Sequence, residues 1–229
     1  MTTHSSLLYE LPGHTVRRTV VSTMSNNVYL ITAKASGAQI LIDAADDLPA
    51  IQALLDDAAD DAAVPARLCA IATTHSHWDH VRALAALVDQ TKVTTAAGAE
   101  DAAGIAQQCA VATDRPLHHG EKLVVPGLEV TAVHLRGHTP GSMAYVLESE
   151  DAAGARAGET FIFSGDSLFP GGVGNTGDDP QRFTSLLQDV QARLFDVYED
   201  SAHVLPGHGD PTTLGTERPA LPAWRERGW

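Results

Sequence analysis

The sequence predicts an α/β fold of mixed strands and helices. Three observations carry the prediction. Strand-like apolar runs and helical repeats alternate along the chain, the alternation begins again after about residue 120, and four turn segments bearing metal-ligating side chains each follow a strand candidate. Two such mixed halves suit an αβ/βα sandwich, two packed sheets with helices on both outer faces, although the strand pattern alone allows other α/β arrangements.

Asn27 to Ala33 and Gln39 to Ala44 run apolar around Ser36-Gly37 and read as a hairpin; no strand is assigned ahead of them. Leu48, Ile51, Leu54 and Leu55 fall at helical spacing beside Pro49, which suits a first helical turn, and the acidic stretch Asp56 to Asp61 reads as a solvated face. Leu68 to Thr73 is the next strand, followed by a donor-rich loop, a helix from His80 to Val88 and a strand from Lys92 to Ala97. Residues 98 to 120 are small and polar with little periodicity, and receive no element. Strands are expected near Leu123 to Pro126, Glu129 to Leu135, Met143 to Leu147 and Thr160 to Phe163, then a helix from Gln181 to Leu194 and a last strand, His203 to Pro206. Glu148 to Glu159 reads as an exposed loop.

At 229 residues the chain can bury a full core and is read as one domain, with pseudo-symmetric halves of about 1–120 and 121–229. Its 44% hydrophobic and 19% charged content argues against extended disorder. The net charge of −14 argues against nucleic acid or an anionic membrane as partner, because phosphate binding needs clustered Lys and Arg. No apolar run approaches the roughly 20 residues of a membrane span, and Met1 to Glu10 lacks the basic and apolar regions of a signal peptide. A cytoplasmic enzyme acting on a small molecule is therefore expected, with Cys69 and Cys109 reduced.

His75-Ser76-His77-Trp78-Asp79-His80 gathers three imidazoles and a carboxylate within six positions. So many unprotonated donors crowd one another unless a cation offsets the crowding, and imidazole with carboxylate favours zinc, then iron or manganese. In an extended segment His75 and His77 share a face, while Asp79 and His80, on the bend beyond, aim away and can serve a second ion about 3.5 to 4 Å off. Gly137-His138-Thr139-Pro140-Gly141-Ser142, Ser164-Gly165-Asp166-Ser167-Leu168-Phe169 and Pro206-Gly207-His208-Gly209-Asp210 each add one donor among turn residues. Five histidines and two aspartates would form a seven-ligand cage at one sheet edge.

In these four motifs and their order the chain resembles the metallo-β-lactamase superfamily, and within it the hydrolases like glyoxalase II. The resemblance implies the four-layer αβ/βα sandwich and a pair of divalent ions. It places His75, His77 and His138 on one metal, Asp79, His80 and His208 on the other, and Asp166 as the bridge. Two departures are visible: Val81-Arg82 stands where Gly-Gly often follows the first motif, and Asn175 to Gly177 offers neither the basic residue nor the tyrosine that glutathione-using relatives present there. The 21 residues after His208 are also too few for the added C-terminal domain of those enzymes.

Two cations can share a water and lower its pKa to about 7, giving a bridging hydroxide as nucleophile, with Asp79 orienting its proton and Asp166 holding the pair. With no strong general acid at the motifs, a leaving group that departs as a stable anion is favoured, and a thiol of pKa about 8.5 does so readily. Thioester hydrolysis is the best chemical match, and an anionic 2-hydroxyacyl thioester such as S-lactoylglutathione is what the resemblance implies. A lactonase or esterase on the same cage, a mononuclear iron persulfide dioxygenase and a non-enzymatic metal-binding protein are the alternatives, the last disfavoured by seven intact donors; a β-lactamase with Cys or Ser at the bridging position differs from Asp166.

Asp43, ending a strand, is a candidate to hydrogen-bond a ligand imidazole, and Trp78 a candidate lip over the cleft. His118-His119 is a turn with a minor prospect of touching substrate. His4, His14, His134 and His203 read as ordinary polar residues. Gly165, Gly171, Gly172 and Gly174 relieve strain in the loop after Asp166. The tail from Leu221 to Trp229 is apolar enough to dock on the body or on a second subunit.

Overall fold

The computed structural model describes residues 5–149 and 158–228; His4, Trp229 and the part of the expected 148–159 loop from 150 to 157 lie outside the described residues. The first sheet contains β1 (Ser6–Glu10), β2 (His14–Val21), β3 (Asn26–Ala33), β4 (Ala38–Ile42), β5 (Arg67–Thr73), β6 (Thr94–Gly98) and β7 (Arg115–Leu117), in that spatial order. β1 to β4 form an antiparallel meander, and β4 to β7 run parallel. The parallel steps need crossovers. These are α1 (Leu48–Asp57), α2 (Leu84–Thr91) and α3 (Ala102–Cys109).

The second sheet contains β8 (Lys122–Val125), β9 (Leu128–His134), β10 (Met143–Glu148) and β11 (Thr160–Gly165), with the two-residue strands β12 (Leu168–Phe169) and β13 (Gly172–Val173) forming a separate hairpin. After α4 (Pro180–Val190) the chain returns as β14 (His203–Pro206), parallel to β11, and closes with β15 (Thr212–Thr213), α5 (Leu214–Glu217) and α6 (Leu221–Arg227).

Side chains alternate across each strand, so both faces must be covered. Tyr29, Ile31, Ile40, Ile42, Ala70 and Ala72 point inward and meet Val130, Ala132, Met143, Tyr145, Phe161 and Phe163 of the other sheet. The intervening residues point outward. Val28, Leu30, Leu41 and Ile71 pack under α1 to α3 through Ile51, Leu54, Leu84, Leu87 and Ile105. Val133, Ala144, Val146, Ile162 and Val204 pack under Phe183, Leu186, Leu187 and Val190 of α4. Four layers result, as expected, and burial on both faces is why the strands read as continuous apolar runs.

Several boundaries differ from the sequence expectations. Residues 98 to 120 contain α3 and β7. β1 and β2 precede the hairpin; Arg17 of β2 is half-buried because Asp61 pairs it at 2.7 Å, which hides the strand's alternation. The helix expected from His80 begins at Leu84, because the amides of Arg82 and Ala83 are taken by the carbonyls of Ala45 and Ala44. The long helix near the end is α4 followed by a π-helical turn over Gln191–Phe195. Trp224 of α6 is 3% exposed and packs edge-on to Phe195, so this part of the tail docks on the body. Among the described residues no helix is long and apolar enough to cross a membrane.

Candidate metal centre

β5, β9, β11 and β14 all end at the same edge of the sandwich, and the loop that leaves each carries donors. The two sheets are joined there: the Met143 amide donates to Thr74 O at 2.7 Å, and the Tyr145 hydroxyl to Thr73 O at 3.0 Å. Asn27 N donates to Gly207 O at 2.7 Å and Gly207 N to Gly165 O at 2.8 Å, so the last loop is pinned to both sheets.

All seven predicted donors converge. His75, His77 and His138 form one trio; Asp79, His80 and His208 form a second; His75, His80 and Asp166 form a third, each with ligand atoms within 4.8 Å of one another. Asp166 lies between the first two: its Oδ1 is 3.4 Å from His80 Nε2, and its Oδ2 is 3.7 Å from His138 Nε2 and 3.5 Å from His208 Nε2. Asp79 Oδ2 is 3.3 Å from His208 Nε2 and 3.6 Å from His80 Nε2.

The outer hydrogen bonds fix which imidazole nitrogen faces inward. His80 Nδ1–H donates to Asp43 Oδ2 at 2.8 Å, His138 Nδ1–H to Asn175 O at 2.7 Å and His208 Nδ1–H to Met24 O at 2.9 Å. Thr74 Oγ1 donates to Asp43 Oδ2, so it accepts from His75 Nδ1–H at 3.0 Å. Four rings are thereby locked with Nε2 turned to the interior, the orientation expected of a ligating imidazole. His77 differs in presenting Nδ1, 3.1 Å from His75 Nε2.

That arrangement fits a cation. His75 Nε2 and His77 Nδ1, and the Nε2 atoms of His80 and His208 at 3.2 Å, face each other across the interior, where a proton or a cation must lie between each pair. Donors bound tetrahedrally to zinc at about 2.0–2.1 Å stand about 3.3 Å apart, close to these separations. His138 Nε2 and Asp166 Oδ1 are buried without a hydrogen-bond partner. Gly207 is required beside them, because a Cβ there would run into Asp166 Oδ1 and His80 Cε1.

Burial pushes His75 well below the usual imidazole range, with His80 adding repulsion, and lowers His138 and His77. Burial also pulls on His80, but Asp43 and Asp166 outweigh it and lift that ring to about 10. His208 is raised against its burial by Asp166, and Asp166, despite burial, is held well below the carboxylate range by His208 and His80. Protons thus occupy the negative side of the cage, and a divalent ion would displace them.

Of the surrounding candidates, Asp43 is buried and accepts from Thr74 N, Thr74 Oγ1 and His80, the part expected of it. Trp78 is 44% exposed on the rim, with the Arg82 guanidinium 3.7 Å from its ring centre. His118 and His119 are exposed, and the charges acting on His119 are Arg193, His134 and Asp189. His14, His134 and His203 bond to Gly127 O, Pro140 O and Tyr9. The sequence reading missed Asn26, whose Nδ2 donates to Asp79 Oδ2 at 3.0 Å, and Asp101, whose carboxylate joins two ligand loops. Neither sits in a motif: Asn26 lies among the polar residues Ser25 and Asn27, and Asp101 follows Glu100.

The family model of the metallo-beta-lactamase superfamily matches residues 22–208, from just ahead of β3 through the last donor. The chain belongs to the metallo-beta-lactamase superfamily. It is 31% identical over 103 residues to the hydroxyacylglutathione hydrolase GloC of Haemophilus influenzae, an alignment covering 45% of this chain and 44% of that enzyme. The chain thus spans less than half the length of that curated relative. Among solved structures of the superfamily it resembles TTHA1623 in a di-iron-bound form, at 30% identity and a TM-score of 0.65 over 90% of this chain and 98% of the other. ETHE1 from Myxococcus xanthus superimposes with a TM-score of 0.70 at 26% identity, covering 90% and 83%.

Proposed function

We propose that this protein is a dinuclear metal-dependent hydrolase of thioesters, acting on 2-hydroxyacyl derivatives of a small thiol. The observation that carries the reading is the pair of imidazole-rich trios with one carboxylate, Asp166, between them. His75, His77 and His138 would hold one ion, Asp79, His80 and His208 the other, and Asp166 both. Bound there, two divalent cations supply Lewis-acid polarisation of the scissile carbonyl and lower the pKa of water to about 7.

The chain's own groups do the rest. Asp79 accepts from Asn26 through Oδ2 and is a carboxylate placed to orient the proton of the attacking water. The groups facing the interior are imidazoles and carboxylates, which favours a leaving group that needs no proton. A thiolate, of parent pKa about 8.5, satisfies this where an alkoxide or amine does not. The name of the GloC relative supports a hydroxyacyl thioester, and the di-iron form of TTHA1623 keeps iron beside zinc and manganese as the resident metal. The reading takes residues 1–229 as one domain whose halves each contribute ligands, acting on a small anionic substrate. A cytoplasmic setting agrees with Cys69 and Cys109 being free thiols.

The test is metal content and turnover on one sample. About two equivalents of metal, and hydrolysis of a lactoyl thioester well ahead of a lactone and a cephalosporin, are expected. Comparable rates on all three would remove the thioester assignment; a preference for the lactone would move it to a lactonase.

A further inference from the structure

The turn between β6 and α3 carries a buried carboxylate that no motif announces. Asp101 is 2% exposed. Its Oδ2 accepts from Ser76 N at 2.8 Å and from Thr139 Oγ1 at 2.5 Å, and its Oδ1 accepts from Gly141 N at 2.7 Å. Ser76 stands between His75 and His77, and Thr139 follows His138. One side chain therefore couples the loop bearing two members of the first trio to the loop bearing the third.

Because a carboxylate only accepts, the Thr139 proton is committed to Asp101. Ser142 Oγ, 2.6 Å away, must then donate to Thr139 Oγ1 while accepting from Thr139 N at 3.0 Å, so the turn carrying His138 has one hydrogen-bond order. The segments also fit without slack. A Cβ on Gly98 would strike Gly141 O, one on Gly141 would strike Asp101 N, and one on Gly104 of α3 would lie 2.9 Å from Ser76 Cβ. All three donors to Asp101 are neutral. None of these donors carries a balancing positive charge, so hydrogen bonds alone hold the carboxylate in place.

We propose that Asp101 is the positioning residue of the first ion site, holding His77 and His138 at the separation a cation requires and setting a buried negative charge behind them. The role rests on reading the cage as a metal centre. The test loads parent, Asp101→Asn and Thr139→Val with cobalt(II) and follows visible absorption during chelator competition, with circular dichroism reporting the fold. An asparagine amide facing Ser76 N opposes donor to donor, so one of two cobalt affinities should fall by about 10- to 100-fold with an altered spectrum, the other remaining at the parent value. A folded Asp101→Asn with both affinities and the spectrum unchanged overturns the role. If that variant does not fold, Thr139→Val decides in the same way, a changed spectrum supporting the role and an unchanged one ending it. Parent protein that takes up no cobalt removes the metal reading itself, an outcome separate from a loaded parent with an indifferent Asp101→Asn.

Discussion

Asp166 contacts imidazoles of both trios, so its removal should cost more than any single imidazole. Asp166→Ala is expected to retain at most one equivalent of metal and to lose nearly all thioester turnover, read by elemental analysis beside the assay; a variant with two ions and parent activity contradicts the bridge. Asp43 acts through His80 and Thr74, and partners of this kind are worth about 10–100-fold in affinity or activity. Asp43→Asn should fall within that range at constant fold, and an effect below about twofold would show that His80 needs no orienting. At this scale the sequence was legible where donors sit in motifs. His75, His77, Asp79 and His80 crowd into six positions after a strand, and His138, Asp166 and His208 each lie beside small or turn residues after one, patterns with few other causes. The groups behind them were not legible: Asn26 and Asp101 lie beside other polar residues with nothing to single them out, and Met24 and Asn175 contribute backbone carbonyls, which leave no trace in side-chain identity.

At the scale of elements, legibility followed burial. β3, β4, β10 and β11 are covered on both faces and read as apolar runs, whereas β2 mixes Arg17 and Arg18 into its alternation, and α3 buries only Ile105 among small residues. α4 supplies a stability prediction. Asp189, buried on it, accepts from Arg136 N at 3.0 Å and from its Nε and Nη2, both at 2.7 Å, with Arg193 3.5 Å away. Although burial opposes the charge, Arg136 holds this carboxyl below its ordinary value. A depressed native pKa means stability present above the unfolded value, about 3.9, and lost as pH falls through the native one. Asp189→Asn should therefore be less stable by about 1 kcal/mol at neutral pH, after allowance for screening at the half-exposed Arg136. The deficit should shrink below about pH 4, and urea titrations at several pH values would show it; a deficit independent of pH would place the cost in packing instead.

Across the whole molecule, ions that bind only the folded chain stabilise it. Occupancy at 100 times the dissociation constant is worth about 2.7 kcal/mol, and a chain of this size shifts by about 2–4 °C per kcal/mol. Chelation should lower Tm by about 5–10 °C, reversibly on adding metal back, and calorimetry with no shift would argue against ions in the cage. The joining of the sheets through Met143 N, Thr74 O, Tyr145 and Thr73 O has a further consequence for how the chain tolerates division. Cutting it in the exposed turn around Gly120, between β7 and β8, leaves four donors on one fragment and three on the other. Neither piece owns a complete coordination sphere, so the fragments should remain apart as unstructured partners and reassemble only together, with metal acting as the clasp.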